Sequence, residues 1–234
     1  MNVLHVDWET TGLYLKGEPS ENPNHPHVCS VSAILDDSQG RMIQSFYSLI
    51  RVPAGTVWEP KAFEANGLTE NICAAGLPLS LTMATLMSMA VRAQAFCAFS
   101  AYFDLKFLKI SAARIGGEQG EKMRATFEGL QRMCTMETSA RFLKGDGQRF
   151  IKLILAHEQI MGRPFEGAHN ALYDNLAQRA IYQKLLEKGV TDFSDTKVLK
   201  PEFQTRRPAA AAVEPEPPLA PAKKRTGKPA AIGG

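Results

Sequence analysis

Short apolar runs and longer amphipathic segments alternate along most of the chain, and their spacing predicts the secondary structure. Asn2–Trp8, Val28–Leu35 and Met42–Ile50 are short and apolar, which is typical of strands, and a polar turn at 36–40 joins the last two. A further strand is predicted at Ala95–Phe99. Helical spacing of apolar positions predicts five helices: Leu79–Arg92, Tyr102–Arg114, Thr135–Phe142, Arg149–Met161 and Asn170–Lys188. Strands followed by helices that alternate with short strands favour an α/β fold, with a mixed sheet flanked by helices.

The composition changes near Arg207. Pro208–Gly234 consists mainly of Ala, Pro, Lys and Gly, with few large apolar residues to bury, so we expect a disordered C-terminal tail. We expect a folded domain over 1–190 and a linker over 191–207. From Lys200 onward, seven Lys or Arg against three Glu give +4, which leaves −1 for the first 199 residues of a chain of net charge +3. A near-neutral body gives no electrostatic indication of a nucleic-acid partner, and the basic tail gives a weak one.

The sequence contains no candidate signal peptide or transmembrane segment, so we expect a cytoplasmic protein with no membrane partner. The four cysteines form no Cys-x-x-Cys pair, which favours buried thiols in a reducing compartment over a zinc site. His25 and His27 flank Pro26 in a polar stretch, and we expect them in a solvated loop.

Two carboxylates lie at the end of the first predicted strand. Asp7 and Glu9 are two residues apart in Val6-Asp7-Trp8-Glu9-Thr10-Thr11-Gly12. Residues two apart on a strand project from the same face, so both carboxylates can point at one site. Paired carboxylates repel each other unless a cation lies between them, and oxygen ligands of this kind suit Mg²⁺ or Mn²⁺.

Two more acidic residues stand near predicted helix starts. Asp104 lies at the beginning of one helix, where the helix dipole favours a negative charge. Asp174 follows His169 by five residues, and on one continuous helix the two would point about 140° apart. They converge more easily if His169 lies in the preceding loop, Asp174 lies in the first turn and Asn170 caps the helix.

In order along the chain, Asp-x-Glu-Thr-x-Gly, Phe-Asp at a helix start and His-x-Ala-x-x-Asp resemble the motif set of the DnaQ-like (DEDDh) 3′–5′ exonuclease superfamily. The resemblance covers about residues 2–188. Ala65-Asn66-Gly67-Leu68-Thr69 is similar to the family's Gly-Ile-Thr segment, and Cys134-Thr135 falls where the family commonly ends a strand. The resemblance implies a ribonuclease H-like fold and the hydrolysis of nucleic-acid 3′ ends to 5′-mononucleotides.

The resemblance also implies a role for each motif residue. Asp7 would bridge two Mg²⁺ or Mn²⁺ ions, with Glu9 and Asp174 completing the ligands of the first ion and Asp104 binding the second. His169 would be the general base that accepts a proton from the attacking water, a role that suits a side chain titrating near neutrality.

Residues beside the motifs are implied to bind substrate. The terminal nucleotide would be held by Thr10, Gly12 and Leu13, which follow the two carboxylates of the first motif. Phe103 could pack on the base of that nucleotide. The sequence departs from the family in one place, where Phe99-Ser100 stands in the position of a common His-Asn. Neither position is a metal ligand, so the departure bears on substrate choice or rate rather than on the chemistry.

The leading interpretation is an exonuclease, monomeric or homodimeric, that acts on single-stranded or frayed DNA ends in proofreading or repair. One alternative is a 3′ exoribonuclease or oligoribonuclease-like enzyme, because no motif residue reads the 2′-hydroxyl. Another is a subunit that is active only when docked on a polymerase or another replication protein. A nucleic-acid-binding module without catalysis is the last, and the complete set of five catalytic residue types argues against it.

Overall fold

The computed structural model describes residues 1–194, in which five strands form one sheet and eight helices surround it. The strands are β1 (Val3–Thr10), β2 (Val28–Asp36), β3 (Met42–Leu49), β4 (Ala95–Ala98) and β5 (Gln131–Cys134). The helices are α1 (Pro60–Asn66), α2 (Glu70–Cys73), α3 (Leu79–Ala90), α4 (Ala101–Ile115), α5 (Gly117–Glu128), α6 (Thr135–Lys144), α7 (Leu153–Met161) and α8 (Ala171–Glu187).

The sheet has the order β3-β2-β1-β4-β5, so β1 lies at its centre. The pairs β1–β2 and β2–β3 are antiparallel, whereas β1–β4 and β4–β5 are parallel. A turn suffices to join antiparallel neighbours, but a parallel pair needs a crossover, and α3 and α4 lie in the two crossovers that lead to β4 and β5. The α/β fold with a mixed sheet flanked by helices is therefore confirmed.

Helices cover both faces of this sheet. The ring of Phe96 on β4 meets that of Phe127 on α5, with centroids 6.2 Å apart. The next residue, Cys97, lies 3.7 Å from Gln178 on α8, from Sγ to Oε1. Because neighbouring strand residues project to opposite faces, α5 and α8 pack on opposite sides of the sheet.

Three local expectations differ from the structure. Helix α7 begins at Leu153 rather than at Arg149, because Ile151 is buried and Lys152 is extended at the N-cap. Helix α5 was not predicted, since its polar residues and glycines hide the apolar spacing. His25 is buried rather than solvated, because its Nδ1 accepts a hydrogen bond from the amide of Leu15 and its Nε2 lies 2.8 Å from the carbonyl oxygen of Pro19.

The predicted tail at 208–234 and most of the predicted linker lie outside the described residues. Just after α8, Phe193 is buried against Tyr182, with ring centroids 4.6 Å apart, and Ser194 forms a bridge with Met133 of β5. None of the described helices is both long enough and apolar enough to cross a membrane.

A buried ion pair ties α8 to the end of β2. The Nε of Arg179 donates to both carboxylate oxygens of Asp36, at 2.9 and 2.7 Å, and an Nη donates to the carbonyl of Gly40. Burial alone would raise the pKa of Asp36, but its contacts with His5 and Arg179 hold that pKa below its ordinary value. His5 is fully buried 3.5 Å from Asp36, and burial lowers the pKa of the imidazole.

Removing Arg179 is expected to destabilise the protein strongly. Arg179→Ala leaves the buried Asp36 carboxylate without its bidentate partner, so we expect a loss of about 3 kcal/mol in the free energy of unfolding. Arg124→Ala is the matched control, because it breaks a more exposed pair with Glu121 at 2.9 Å and is expected to cost less than about 1 kcal/mol. Urea unfolding followed by circular dichroism measures both, and equal losses would contradict the assigned role of the pair.

Candidate active site

All five residues of the sequence motifs come together at one end of β1. Carboxylate oxygens of Asp7, Glu9 and Asp174 lie within 4.8 Å of one another. Asp7, Asp104, Asp174 and His169 line one cleft of about 580 Å³. Residues separated by more than 160 positions in the sequence therefore share a single site.

Strand β1 directs its acidic pair to the side of the sheet that α8 covers. His5, Asp7 and Glu9 alternate along β1 on one face, and the imidazole of His5 lies 3.0 Å from Gln178 of α8. The pairing with β2 shifts after Glu9, where Thr10 pairs out of register. Both carboxylates therefore lie on one face of β1, and the regular pairing of β1 with β2 ends directly after Glu9.

Asp104 reaches the same cleft from the first turn of α4. Its side chain is only 3% exposed, and main-chain groups of Trp8 and Ser100 hydrogen-bond with its carboxylate. Burial raises the pKa of Asp104 well above its ordinary value, the hydrogen bonds lower it, and the charge of Glu9 raises it further. The main chain of β1 therefore fixes this acid beside Asp7.

The start of α8 has the predicted geometry. Asn170 is the N-cap and its side-chain oxygen accepts from the amide of Leu172 at 3.0 Å. His169 lies in the loop with a φ of 66°, a left-handed conformation unusual for a residue with a side chain. This conformation lets the amide of His169 donate to the Oδ2 of Asp174 at 3.1 Å. The loop position of His169, the cap and the first-turn position of Asp174 are all confirmed.

Burial and mutual repulsion raise the pKa values of the clustered carboxylates. Burial, followed by the charges of Asp104, Glu9 and Asp174, raises the pKa of Asp7 well above its ordinary value. Burial and Asp174 raise the pKa of Glu9 to about 7, although a hydrogen bond from Asn66 opposes the shift. Burial raises the pKa of Asp174 to about 6, against contacts with His169 that lower it.

The donor set suits a divalent cation. Asp7, Glu9 and Asp174 offer only oxygen atoms, the ligands that Mg²⁺ and Mn²⁺ prefer. The Oδ1 of Asp174 is buried and has no hydrogen-bond partner among the described residues. A buried carboxylate oxygen without a partner is costly, and a bound cation would satisfy it.

The turn after Glu9 carries the three residues predicted to hold the terminal nucleotide. Thr10 is buried and donates its hydroxyl to the carbonyl of Gly12 at 2.8 Å, whereas Leu13 is 67% exposed. Glu59 accepts from the amide of Leu13 at 3.2 Å, and Asn66 donates to the carbonyl of Thr10 at 3.1 Å. Sequence patterns did not identify Glu59, because this residue lies outside every motif and reaches the turn from elsewhere in the chain.

Aromatic side chains line the remainder of the cleft. Phe103, predicted to contact a base, is partly buried and packs on Phe107 with ring centroids 4.9 Å apart. Phe99 and Ser100, where the sequence departs from the family, also line the cleft. Phe150, Lys152 and Phe165 are among the lining residues that lie outside the motifs.

A second, larger cleft lies away from the acidic cluster. It measures about 720 Å³ and is lined by residues of the 20–28 loop, the 50–53 segment and the end of α4. Burial and the charge of Arg114 lower the pKa of His27, one of its lining residues, to about 4. The smaller cleft is the candidate site for chemistry, because it alone of the two contains the clustered carboxylates.

No protein-family model matches the sequence, and no curated protein matches it. Solved structures do match. Escherichia coli exonuclease I in complex with a dA16 oligonucleotide superimposes on 80% of this chain, with a TM-score of 0.63 and 17% identity. The chain has the ribonuclease H-like fold. It spans 41% of the length of that exonuclease I chain.

Two other structures share this fold with the chain. One is the 3′-exonuclease solved for its recognition of the 3′ end of a histone mRNA stem-loop, with a TM-score of 0.60, 12% identity and 80% and 82% of the two chains covered. The other is exonuclease I from Methylocaldum szegediense, with a TM-score of 0.57, 15% identity and 80% and 40% coverage. At these identities the comparisons establish the fold, and the chemistry must be argued from the residues of the site.

Replacing one charge of the acidic cluster is expected to stabilise the metal-free protein. A carboxyl whose pKa is raised by folding costs stability once the pH exceeds its unfolded value, and the cost is complete above its folded value. Asp7→Asn should therefore raise the melting temperature in EDTA, and more at pH 8 than at pH 5. Thermal unfolding by circular dichroism measures this. Mg²⁺ should raise the melting temperature of the wild type and have a smaller effect on the variant.

Proposed function

We propose that this chain is a metal-dependent 3′–5′ exonuclease that hydrolyses phosphodiester bonds and releases 5′-mononucleotides. The observation that carries the proposal is the convergence of Asp7, Glu9, Asp104, His169 and Asp174 on one cleft. Binding nucleic acid without hydrolysis would not require four mutually repelling carboxylates, because such a cluster opposes a phosphate unless cations are present. The fold shared with named exonucleases supports the same reaction.

The carboxylates would hold two divalent ions. Asp7, Glu9 and Asp174 fit one ion, and Asp104 beside Asp7 fits the second. When bound, Mg²⁺ or Mn²⁺ supplies an activated water, neutralises phosphate charge and stabilises the leaving oxygen. The hydrogen bonds that fix Asp104 and Asp174 keep these two acids in place in the protein itself.

His169 would accept the proton of the attacking water. Its side chain is exposed at the cleft, while its amide is held by Asp174. The backbone is thus fixed and the imidazole faces solvent and substrate, which suits a general base. The exposed Leu13 and the partly buried Phe103 would contact the terminal nucleotide.

Single-stranded or frayed DNA, as in proofreading or repair, is the proposed substrate. Exonuclease I bound to dA16 supports DNA, whereas the 3′-exonuclease that recognises a histone mRNA stem-loop supports RNA trimming as the second candidate. A polymerase or other replication protein as partner, a monomeric or homodimeric state and a cytoplasmic location stay predictions from the sequence.

A degradation assay tests the proposed reaction. Matched DNA and RNA oligonucleotides, single- and double-stranded and labelled at the 5′ end, should shorten stepwise from the 3′ end with Mg²⁺ or Mn²⁺ and stay intact in EDTA. Asp174→Asn should abolish the ladder, while Glu118→Gln, which changes an exposed acid on α5, should retain it. Full activity of purified Asp174→Asn would overturn the mechanism, and the preferred strand distinguishes DNA from RNA.

Replacing His169 is expected to separate catalysis from metal binding. His169→Ala should lower kcat by about a hundredfold to ten-thousandfold, the usual contribution of a general base. Titration calorimetry should show unchanged Mn²⁺ affinity. His27→Ala, in the other cleft, is the matched control and should keep full activity. A loss of Mn²⁺ affinity in His169→Ala would identify His169 as a ligand instead.

A further inference from the structure

An exposed phenylalanine lies in the wall of the candidate active-site cleft. Phe150 precedes α7 and is 65% exposed, yet it lines the same cleft as Asp7, Asp104 and His169. A single exposed apolar side chain is ordinary on a protein surface. This ring is different in its position, because it stands in the wall of the cleft that holds the carboxylates, where a substrate would meet it.

The segment that carries Phe150 is held in place on both sides. Arg149 contacts the buried carboxylate of Glu137 at 3.3 Å, and Lys144 donates to the carbonyl of Phe150 at 3.2 Å. The next residue, Ile151, is buried in the hydrophobic core. The ring therefore stays outside the core because its neighbours on both sides are anchored.

A positive charge accompanies the ring. Lys152 is exposed, lies two residues beyond Phe150 and lines the same cleft. The ring of Phe150 and the side chain of Lys152 are both exposed at the cleft, whereas Ile151 between them is buried. An aromatic ring beside a lysine matches one nucleotide of a single strand, whose base stacks and whose phosphate is anionic.

We propose that Phe150 and Lys152 form a binding site for an unpaired nucleotide upstream of the scissile phosphate, with the base stacked on Phe150 and a phosphate near Lys152. This inference rests on the proposed exonuclease function, because the strand must place its 3′ end at the carboxylates. Stacking requires an unpaired base, so the site selects single-stranded or frayed ends over intact duplex.

Two substrates separate this site from the catalytic centre. The p-nitrophenyl ester of thymidine 5′-monophosphate has one nucleotide and cannot reach Phe150 with an upstream base, whereas a short oligodeoxyadenylate can. In Phe150→Ala, the loss of kcat/KM on the oligonucleotide should exceed any loss on the ester by about fivefold to a hundredfold, the range expected for one base stacked on an aromatic ring. Equal losses on both substrates would overturn the inference.

Binding measured without turnover identifies the contacted base. Fluorescence anisotropy in EDTA should show weaker oligonucleotide binding for Phe150→Ala and restored binding for Phe150→Trp. A single abasic position scanned from the 3′ end should weaken the wild type at one upstream site and leave Phe150→Ala unaffected there. Lys152→Ala should weaken binding with a shallower salt dependence while keeping the abasic effect.

Phe142→Ala is the matched control, since Phe142 is 43% exposed on α6 and lies outside the cleft lining. It should bind and cleave like the wild type, and all variants should share its melting temperature within the error of the measurement. If Phe142→Ala weakened binding as much as Phe150→Ala, the ring would have no specific role. If the wild type cleaved neither substrate but Phe150→Ala still lost binding, the proposed nuclease function would fail and the binding site would stand.

Discussion

Buried hydrogen bonds between α8 and β1 hold the carboxylates of Asp174 on α8 and Asp7 on β1 close together. Asn175 donates to the carbonyl of His5 at 3.2 Å and to Ser32 of β2 at 3.0 Å, and it follows Asp174 directly. Asp7 lies two residues beyond His5 on the same face of β1. Because the peptide geometry between these neighbours is fixed, this docking holds the Asp174 carboxylate near that of Asp7. One turn further along α8, the ion pair between Arg179 and Asp36 fixes the position of the helix relative to β2.

The packing of α8 on β1 brings together carboxylates that repel one another. Asp7, Glu9 and Asp174 each have a raised pKa, which means that folding costs free energy to hold them ionised at neutral pH. The polar contacts of α8, together with the apolar core beneath the sheet, must supply that free energy in the metal-free protein. A site that is unfavourable without cations gains affinity for them, since binding relieves the repulsion.

Sequence patterns predicted the parts of the site that depend on neighbours in the chain. Alternation along β1 placed Asp7 and Glu9 on one face, and a capping rule placed Asn170 before α8. Contacts between residues far apart in the chain could not be predicted from these local patterns. Glu59 braces the turn after Glu9 from 46 residues away, and nothing in its local sequence indicates that partner.

Two local predictions, the start of α7 and the exposure of His25, were wrong for the same reason: contacts with residues elsewhere in the chain. The helical spacing of apolar residues predicted α7 from Arg149, but Arg149 contacts Glu137 and Ile151 is buried in the core, so the helix begins only at Leu153. His25 stands in a polar stretch and was expected in solvent, but its ring is buried, accepts from the amide of Leu15 and lies 2.8 Å from the carbonyl oxygen of Pro19. The difference matters most in the segment before α7, because it leaves Phe150 exposed at the cleft.

The charge balance supports the stacking surface proposed beside this cluster. The first 199 residues sum to −1, so the folded part of the chain offers little general attraction for a phosphate backbone. In the absence of cations, the carboxylates would repel a nucleic acid further. An incoming strand must then gain its affinity from bound cations at the scissile phosphate and from contacts that do not depend on bulk charge. Base stacking is such a contact, and it is available only to unpaired nucleotides. Under the proposed function, a near-neutral domain with aromatic residues around an acidic centre would favour strand ends that are already separated, and the exposed Lys152 would add a positive charge for an upstream phosphate.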